Sequence, residues 1–154
     1  MIDGLQALAE GMANCFKLEY LTISCNSFTA VGLRALSAFI RSKKFCLQSL
    51  DMRFMDIDGG GMMALVAGLA RLQSLKSLDL SYNVVGDECL QYVRAGLANS
   101  CNLEKLVLSN NGSFSAIGLR HLCVVFPTAM KKLKVLNLGR NSINDEGLQA
   151  LVGK

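Results

Sequence analysis

The sequence predicts an α/β solenoid, a stack of about five strand–helix coils of 28–30 residues each that fills residues 1–154 as one domain. Three observations carry that prediction. First, segments of one pattern, LEYLTISCN, LQSLDMRFM, LKSLDLSYN, LEKLVLSNN and LKVLNLGRN, begin at Leu18, Leu47, Leu75, Leu103 and Leu133, spaced 29, 28, 28 and 30 residues apart. Second, each is followed by a segment whose apolar residues recur at i, i+3 and i+7, the stripe of an amphipathic helix. Third, neither half has enough apolar neighbours to bury its own face. Stacked copies do, with each strand pairing in parallel to the next and each helix lying beside its neighbour.

Taken in order, residues 1–17 contain GLQALAEGM from Gly4 and read as the helical half of a preceding coil. Within each strand segment the leucines at positions four and six share one face, while positions three, five and seven face the other way. The helical halves follow as GLRALSAFI from Gly32, GMMALVAGL from Gly61, CLQYVRAGL from Cys89, GLRHLCVVF from Gly118 and GLQAL from Gly147. Leu33, Leu36 and Ile40 show the helical stripe, as do Leu90, Val93 and Leu97. The fourth coil carries one extra residue between Asn111 and Gly118, which predicts a small bulge in its turn and an unchanged stack.

Bulk composition narrows the function classes. Apolar residues make up 51% and charged residues 18% of the chain, which excludes a disordered tail and a highly charged coiled coil. The net charge of +4 lacks the aromatic or motif support of a nucleic-acid binder. Mild basic clusters in RSKK (41–44) and KKLK (131–134) suit helix exits, where cations complement the macrodipole. No apolar run reaches a membrane-spanning length, and the N-terminus lacks a basic leader. Six cysteines without a C-x-x-C pair argue against zinc and point to reduced thiols, hence a cytosolic or nuclear protein.

The pattern LxxLxLxxN followed by Gly-Leu and a helix resembles the leucine-rich repeats of the ribonuclease-inhibitor type, found also in nucleotide-binding leucine-rich repeat receptors and Ran GTPase-activating proteins. That resemblance covers essentially the whole chain. It implies a right-handed horseshoe arc with a parallel β-sheet on the concave side and helices on the convex side. It also implies a ladder of Asn26, Asn83, Asn111 and Asn141, whose carboxamides bond backbone groups in the turn after each strand. Asparagine suits that role because a short stem carries two donors and an acceptor. The second coil carries Met55 instead, so its turn is expected to be looser, or satisfied by Asp56 or water. NGS at 111–113 is formally a glycosylation acceptor, but a sugar on Asn111 would compete with the ladder.

Candidate chemistry is thin. The glycine run 59–61 has no lysine in P-loop register and reads as loop and cap. His121 has no nucleophile placed for it, since adjacent helical positions splay apart. Cys89 stands in a glycine slot at a helix start, where a thiol is either activated or merely small and buried. No catalytic residue, metal or cofactor is expected. The surface left over is the row of outward strand positions. There Asp51 and Asp79 are expected side by side, a repulsive pair unless Arg53 or a ligand cation compensates it. Phe54 and Tyr82 are expected side by side one step further on, with Asn110 and Arg140 continuing that row. These residues are the candidate partner-binding set; the alternative is an ordinary mixed surface.

The function that follows is a protein-binding scaffold, not an enzyme, acting through the concave face on a protein partner, with no nucleic acid or membrane engaged. Two alternatives come from the resemblance: a GTPase-activating protein of the Ran type, and the sensor segment of a nucleotide-binding receptor. The first strand and the last helix both look unfinished, which predicts a segment of a longer array or a partial gene model, marginal on its own or self-associating through its uncapped ends. A sharp, high-temperature unfolding transition of monomeric 1–154 would count against that expectation.

Overall fold

In the computed structural model, residues 4–152 are described except 13, 16, 43–45, 113, 128 and 129, so Lys43 and Lys44 of the RSKK cluster lie outside the described residues. Helix α1 (Gly4–Gly11) precedes five strand–helix pairs: β1 (Tyr20–Thr22) and α2 (Ala30–Ser42), β2 (Ser49–Asp51) and α3 (Gly59–Leu69), β3 (Ser77–Asp79) and α4 (Asp87–Leu97), β4 (Lys105–Val107) and α5 (Ala116–Val125), β5 (Val135–Asn137) and α6 (Asp145–Val152). The five strands form one sheet in chain order, every neighbouring pair parallel. This is the α/β solenoid of stacked strand–helix coils that the period predicts.

Register follows the repeat residue for residue. Leu21, Leu50, Leu78, Leu106 and Leu136 stand opposite one another along the sheet. With Leu80, Leu108, Leu36, Leu65, Leu90 and Leu119 they belong to a single core between sheet and helices. Strands repeat about every 4.8 Å while packed helices need about 8–10 Å, so the stack curves with the sheet inside. Where α2 and α3 press together, a glycine is required: a Cβ on Gly68 of α3 would meet the Ser37 backbone of α2 at 2.9 Å. The Gly68 amide instead donates to Ser37 Oγ at 2.9 Å.

Within the glycine run at the head of α3, packing requires Gly61: a Cβ there would meet Leu33 at 2.9 Å, whereas one at Gly59 would make ordinary contact with Glu88 and Cys89 of the next coil. The Gly61 amide donates to the Asp58 carboxylate at 2.9 Å, so the position an incoming phosphate would use is already held by an anion. Cys89 is buried, and burial pushes its thiol up, away from the activated state.

The turns after β2, β3 and β4 are each built by the asparagine of the following coil. Asn83 Oδ1 accepts from the Met55 and Ile57 amides at 3.0 Å each. Its Nδ2 donates to Met52 O and Leu80 O at 2.9 Å. Asn111 repeats the arrangement on the Asn83 and Val85 amides, and Asn141 accepts from the Asn111 amide at 2.7 Å. Asn83, Asn111 and Asn141 are all buried. With its carboxamide enclosed, Asn111 leaves no room for a glycan.

Here the expectation for Met55 needs correction. Its own turn is not loose, because Asn83 ties it down from the next coil, and the Met55 side chain is fully buried. The missing carboxamide is felt one coil earlier. Asn26 bonds only within its own coil, to Ile23 O and Ser24 O at 3.0 Å, and Ser27 Oγ donates to the Asp56 carboxylate at 3.2 Å across the gap. The extra residue of the fourth coil is absorbed beyond Asn111, where Gly112 takes φ +111°. The β4–β5 register is unaffected.

Asn83→Ala strands two buried amides and the Met52 carbonyl, and is expected to cost about 2–4 kcal/mol, whereas Asn26→Ala is expected to cost less than about 1 kcal/mol. Urea unfolding of the two variants reads the difference; equal losses would remove the cross-coil role.

Candidate functional site: the exposed sheet face

At position eight of every coil the chain leaves the strand through a left-handed residue: Cys25, Phe54, Tyr82, Asn110 and Arg140 have φ of 59°, 53°, 56°, 57° and 57°. None is glycine, so each carries a steric cost of about 1–2 kcal/mol that the surrounding pairing must hold in place. Their amides are anchored: each of Cys25, Phe54, Tyr82 and Asn110 donates to the position-seven carbonyl of the next coil at 2.9–3.3 Å. The bend throws the side chain out of the sheet. Sequence reasoning missed it, since Cys, Phe, Tyr, Asn and Arg share no left-handed preference except at Asn.

Because neighbouring coils bend alike, Phe54 and Tyr82 meet face to face, with ring centroids 4.1 Å apart and planes 14° from parallel. Both stay exposed, at 48% and 41%. Stacking of this kind contributes about 0.5–1.5 kcal/mol beyond area burial, which holds the rings in one orientation without hiding them.

Behind the rings, Asp51 and Asp79 stand in register on β2 and β3. Arg53 resolves their repulsion. Its Nε and Nη2 donate to the two Asp51 carboxylate oxygens at 2.9 and 2.7 Å, and Nε lies 3.8 Å from Asp79 Oδ2. The Arg53 hydrogen bond holds the Asp51 carboxyl below its usual range, against partial burial that pushes it up; the Arg53 amide and positive charge add to the lowering.

Both aspartates also serve the backbone. The carbonyl at position six is occupied by an asparagine Nδ2, so the amide at position seven turns to the side chain at position five. Arg53 N donates to Asp51 at 3.2 Å, Ser81 N to Asp79 at 2.9 Å, and Gly139 N to Asn137 at 3.0 Å. Ser81 Oγ adds a bond to Asp79 at 2.6 Å. This duty stands beside any contact with a partner.

The structure thus brings Asp51, Arg53, Phe54, Asp79 and Tyr82 together, and sets Asn110 and Arg140 one and two coils further along the ring row. Tyr20, 68% exposed at position three of β1, belongs to the same face and was not foreseen, because only positions five, seven and eight were weighed. His121 lies on α5 in a shallow depression with Gln91, Tyr92 and Arg94 of α4, away from this face. Among the described residues no group of three His, Cys, Asp or Glu is placed to hold a metal, and no helix is long and apolar enough to cross a membrane.

A curved sheet with a displayed row of side chains defines a repeat protein whose distinctive surface is a face. Comparison with known proteins gives the family. The leucine-rich repeat family matches residues 14–37, 43–66, 71–92 and 129–152, and the chain belongs to that family. The match passes over 93–128, the stretch holding β4, α5 and the extra residue, although that coil stacks like the others.

The chain is 30% identical to the pig (Sus scrofa) ribonuclease inhibitor over 135 residues, covering 87% of this chain and 29% of that protein. It is 30% identical to the mouse (Mus musculus) ribonuclease inhibitor over 145 residues, covering 94% and 31%. Mouse NACHT, LRR and PYD domains-containing protein 5 is 30% identical over 135 residues, 87% of this chain and 11% of that one. The chain therefore spans less than a third of these relatives. Among solved structures, the tropomodulin C-terminal domain of Caenorhabditis elegans superposes with TM-score 0.68 at 13% identity, over 96% of this chain and 89% of that one. Actin-binding site 2 of leiomodin-1 gives 0.65 at 12%, over 96% and 83%. These two likenesses speak to the fold alone.

The depressed Asp51 value has a pH consequence. The stability it contributes is complete above the unfolded-state pKa near 4 and is lost as pH falls through the lower folded-state value. Arg53→Gln is expected to move the Asp51 midpoint upward in a carboxyl 13C titration and to flatten the acid limb of the stability curve. An unmoved midpoint would refute the pairing.

Proposed function

We propose that the chain is a protein–protein interaction module that binds its partner on the concave sheet face, with the Phe54–Tyr82 pair as anchor. The observation that carries this reading is that two large rings, already stacked on each other, remain over 40% exposed on the sheet face. Aromatic and arginine side chains of this kind dominate interface energetics, and Arg53, held by Asp51, directly precedes Phe54 in the chain. Asp51, Asp79, Asn110 and Arg140 form the polar surround. Membership of the leucine-rich repeat family supports a binding role and gives no particular partner.

A second reading rests on the relatives. The NACHT, LRR and PYD domains-containing proteins match over 87–97% of this chain and only 11–15% of their own length. We propose on that ground that residues 1–154 act as one stretch of a longer array, serving as the sensor segment of such a receptor. A full-length transcript with a nucleotide-binding module upstream would support it; one without would end it.

For the first reading the test is a paired capture experiment. Phe54→Ala/Tyr82→Ala is expected to lose a partner retained by the parent chain and by Val31→Ser/Ile117→Ser on the helical side, with unfolding midpoints nearly equal. Loss in the helical-side variant alone would move the site off the sheet.

A further inference from the structure

All strands run the same way, so every helix exit and strand entry falls on one edge of the solenoid, and every strand exit and helix entry on the other. The charges divide with the edges. Lys17, Arg41, Arg71, Lys76, Arg94, Lys105 and Lys131 stand exposed on the first, where the acids among the described residues are Glu10, Glu19 and Glu104. Asp51, Asp58, Asp79, Asp87, Glu88 and Asp145 stand on the second, where Arg53 and Arg140 are the cations. Helix macrodipoles account for part of this, placing Arg41 at the exit of α2 and Asp87 and Glu88 at the entry of α4. They do not account for Lys76 and Lys105, which lie at the strand entries, beyond the reach of any helix end.

One ion pair shows how the edge treats an anion. Glu104 is gripped by Lys134 Nζ at 2.7 Å, while Lys132 Nζ donates to Asn102 Oδ1 at 2.8 Å beside it. The Lys134 hydrogen bond and charge hold the Glu104 carboxyl low, and Lys76 and Lys132 add to the effect, so several lysines converge on one carboxylate. A few coils away Arg41 and Arg71 line a depression of about 580 Å³ with Ser42. Among the described residues no carboxylate forms an ion pair with Arg41, Arg71, Lys76, Lys105 or Lys131.

We infer that this basic edge is a docking surface for an acidic polypeptide segment, a run rich in Asp and Glu laid across successive coils. A carboxylate is the acceptor the edge already holds at Glu104. A single nucleic-acid strand fits less well, because such binders stack bases on successive exposed rings. Of the exposed rings among the described residues, Phe54 and Tyr82 stand by the far edge and are occupied with each other, leaving Tyr20 alone. The surface is separate from the Phe54–Tyr82 pair, although Lys105 stands at position three of β4 on the same sheet face as Tyr20, and it holds whether or not that proposal does.

Fluorescence anisotropy with labelled poly-L-glutamate at low salt tests it. Arg41→Gln/Arg71→Gln is expected to weaken binding about fivefold, while Arg34→Gln/Arg120→Gln, with the same charge loss on the outer helical face, changes it by less than about twofold. Should the first variant melt early, Lys76→Gln/Lys131→Gln, confined to loops, reads the same edge and is expected to weaken binding in the same direction. Equal losses from the edge and helical-face variants would overturn the proposal, reducing it to net charge. Tighter binding of oligothymidylate, or of vesicles containing phosphatidylserine, than of polyglutamate would overturn it in favour of those partners.

Discussion

A chain that leaves a strand at the depth of the core must pair each backbone amide and carbonyl it encloses, and in this molecule one carboxamide does so for the coil before its own. Asn83, Asn111 and Asn141 each accept from a preceding turn while donating to carbonyls on both coils. An unpaired buried amide costs about 1–3 kcal/mol, so no coil can close its turn well without the next. The leucine rows make stacking favourable; the asparagines fix its register.

Much of this was legible in the sequence, for a plain reason. A strand shows itself by alternation and a helix by the three-and-four spacing, so a chain that switches between them every 28–30 residues announces its architecture. Leu50, Leu78 and Leu106 fell where the rhythm put them. What could not be read was conformation that no residue type signals. The left-handed bend at Cys25, Phe54, Tyr82 and Asn110 is held by the sheet ladder, and it recurs at Arg140 in the last coil. The effect of Met55 was misplaced because the role of its slot runs backward along the chain, which spacing alone does not reveal. The capping duty of Asp51 and Asp79 was hidden in the same way, behind a carbonyl already taken.

The candidate site combines order with limited charge. Arg53 spans both aspartates, so the acidic pair reaches the surface largely compensated, and the rings provide the apolar area. The charge that remains unpaired is carried to the edges by topology. Parallel strands alternating with parallel helices put like termini together, and residues suited to those termini accumulate there.

The bend at position eight has a consequence for how such a surface changes over generations. Direction is decided by the main chain, and the residue occupying the bend decides only what is shown. A thiol, two rings, an amide and a guanidinium already occupy equivalent places. New recognition chemistry can therefore arise by single substitutions along that row, with the hydrophobic stack beneath left untouched.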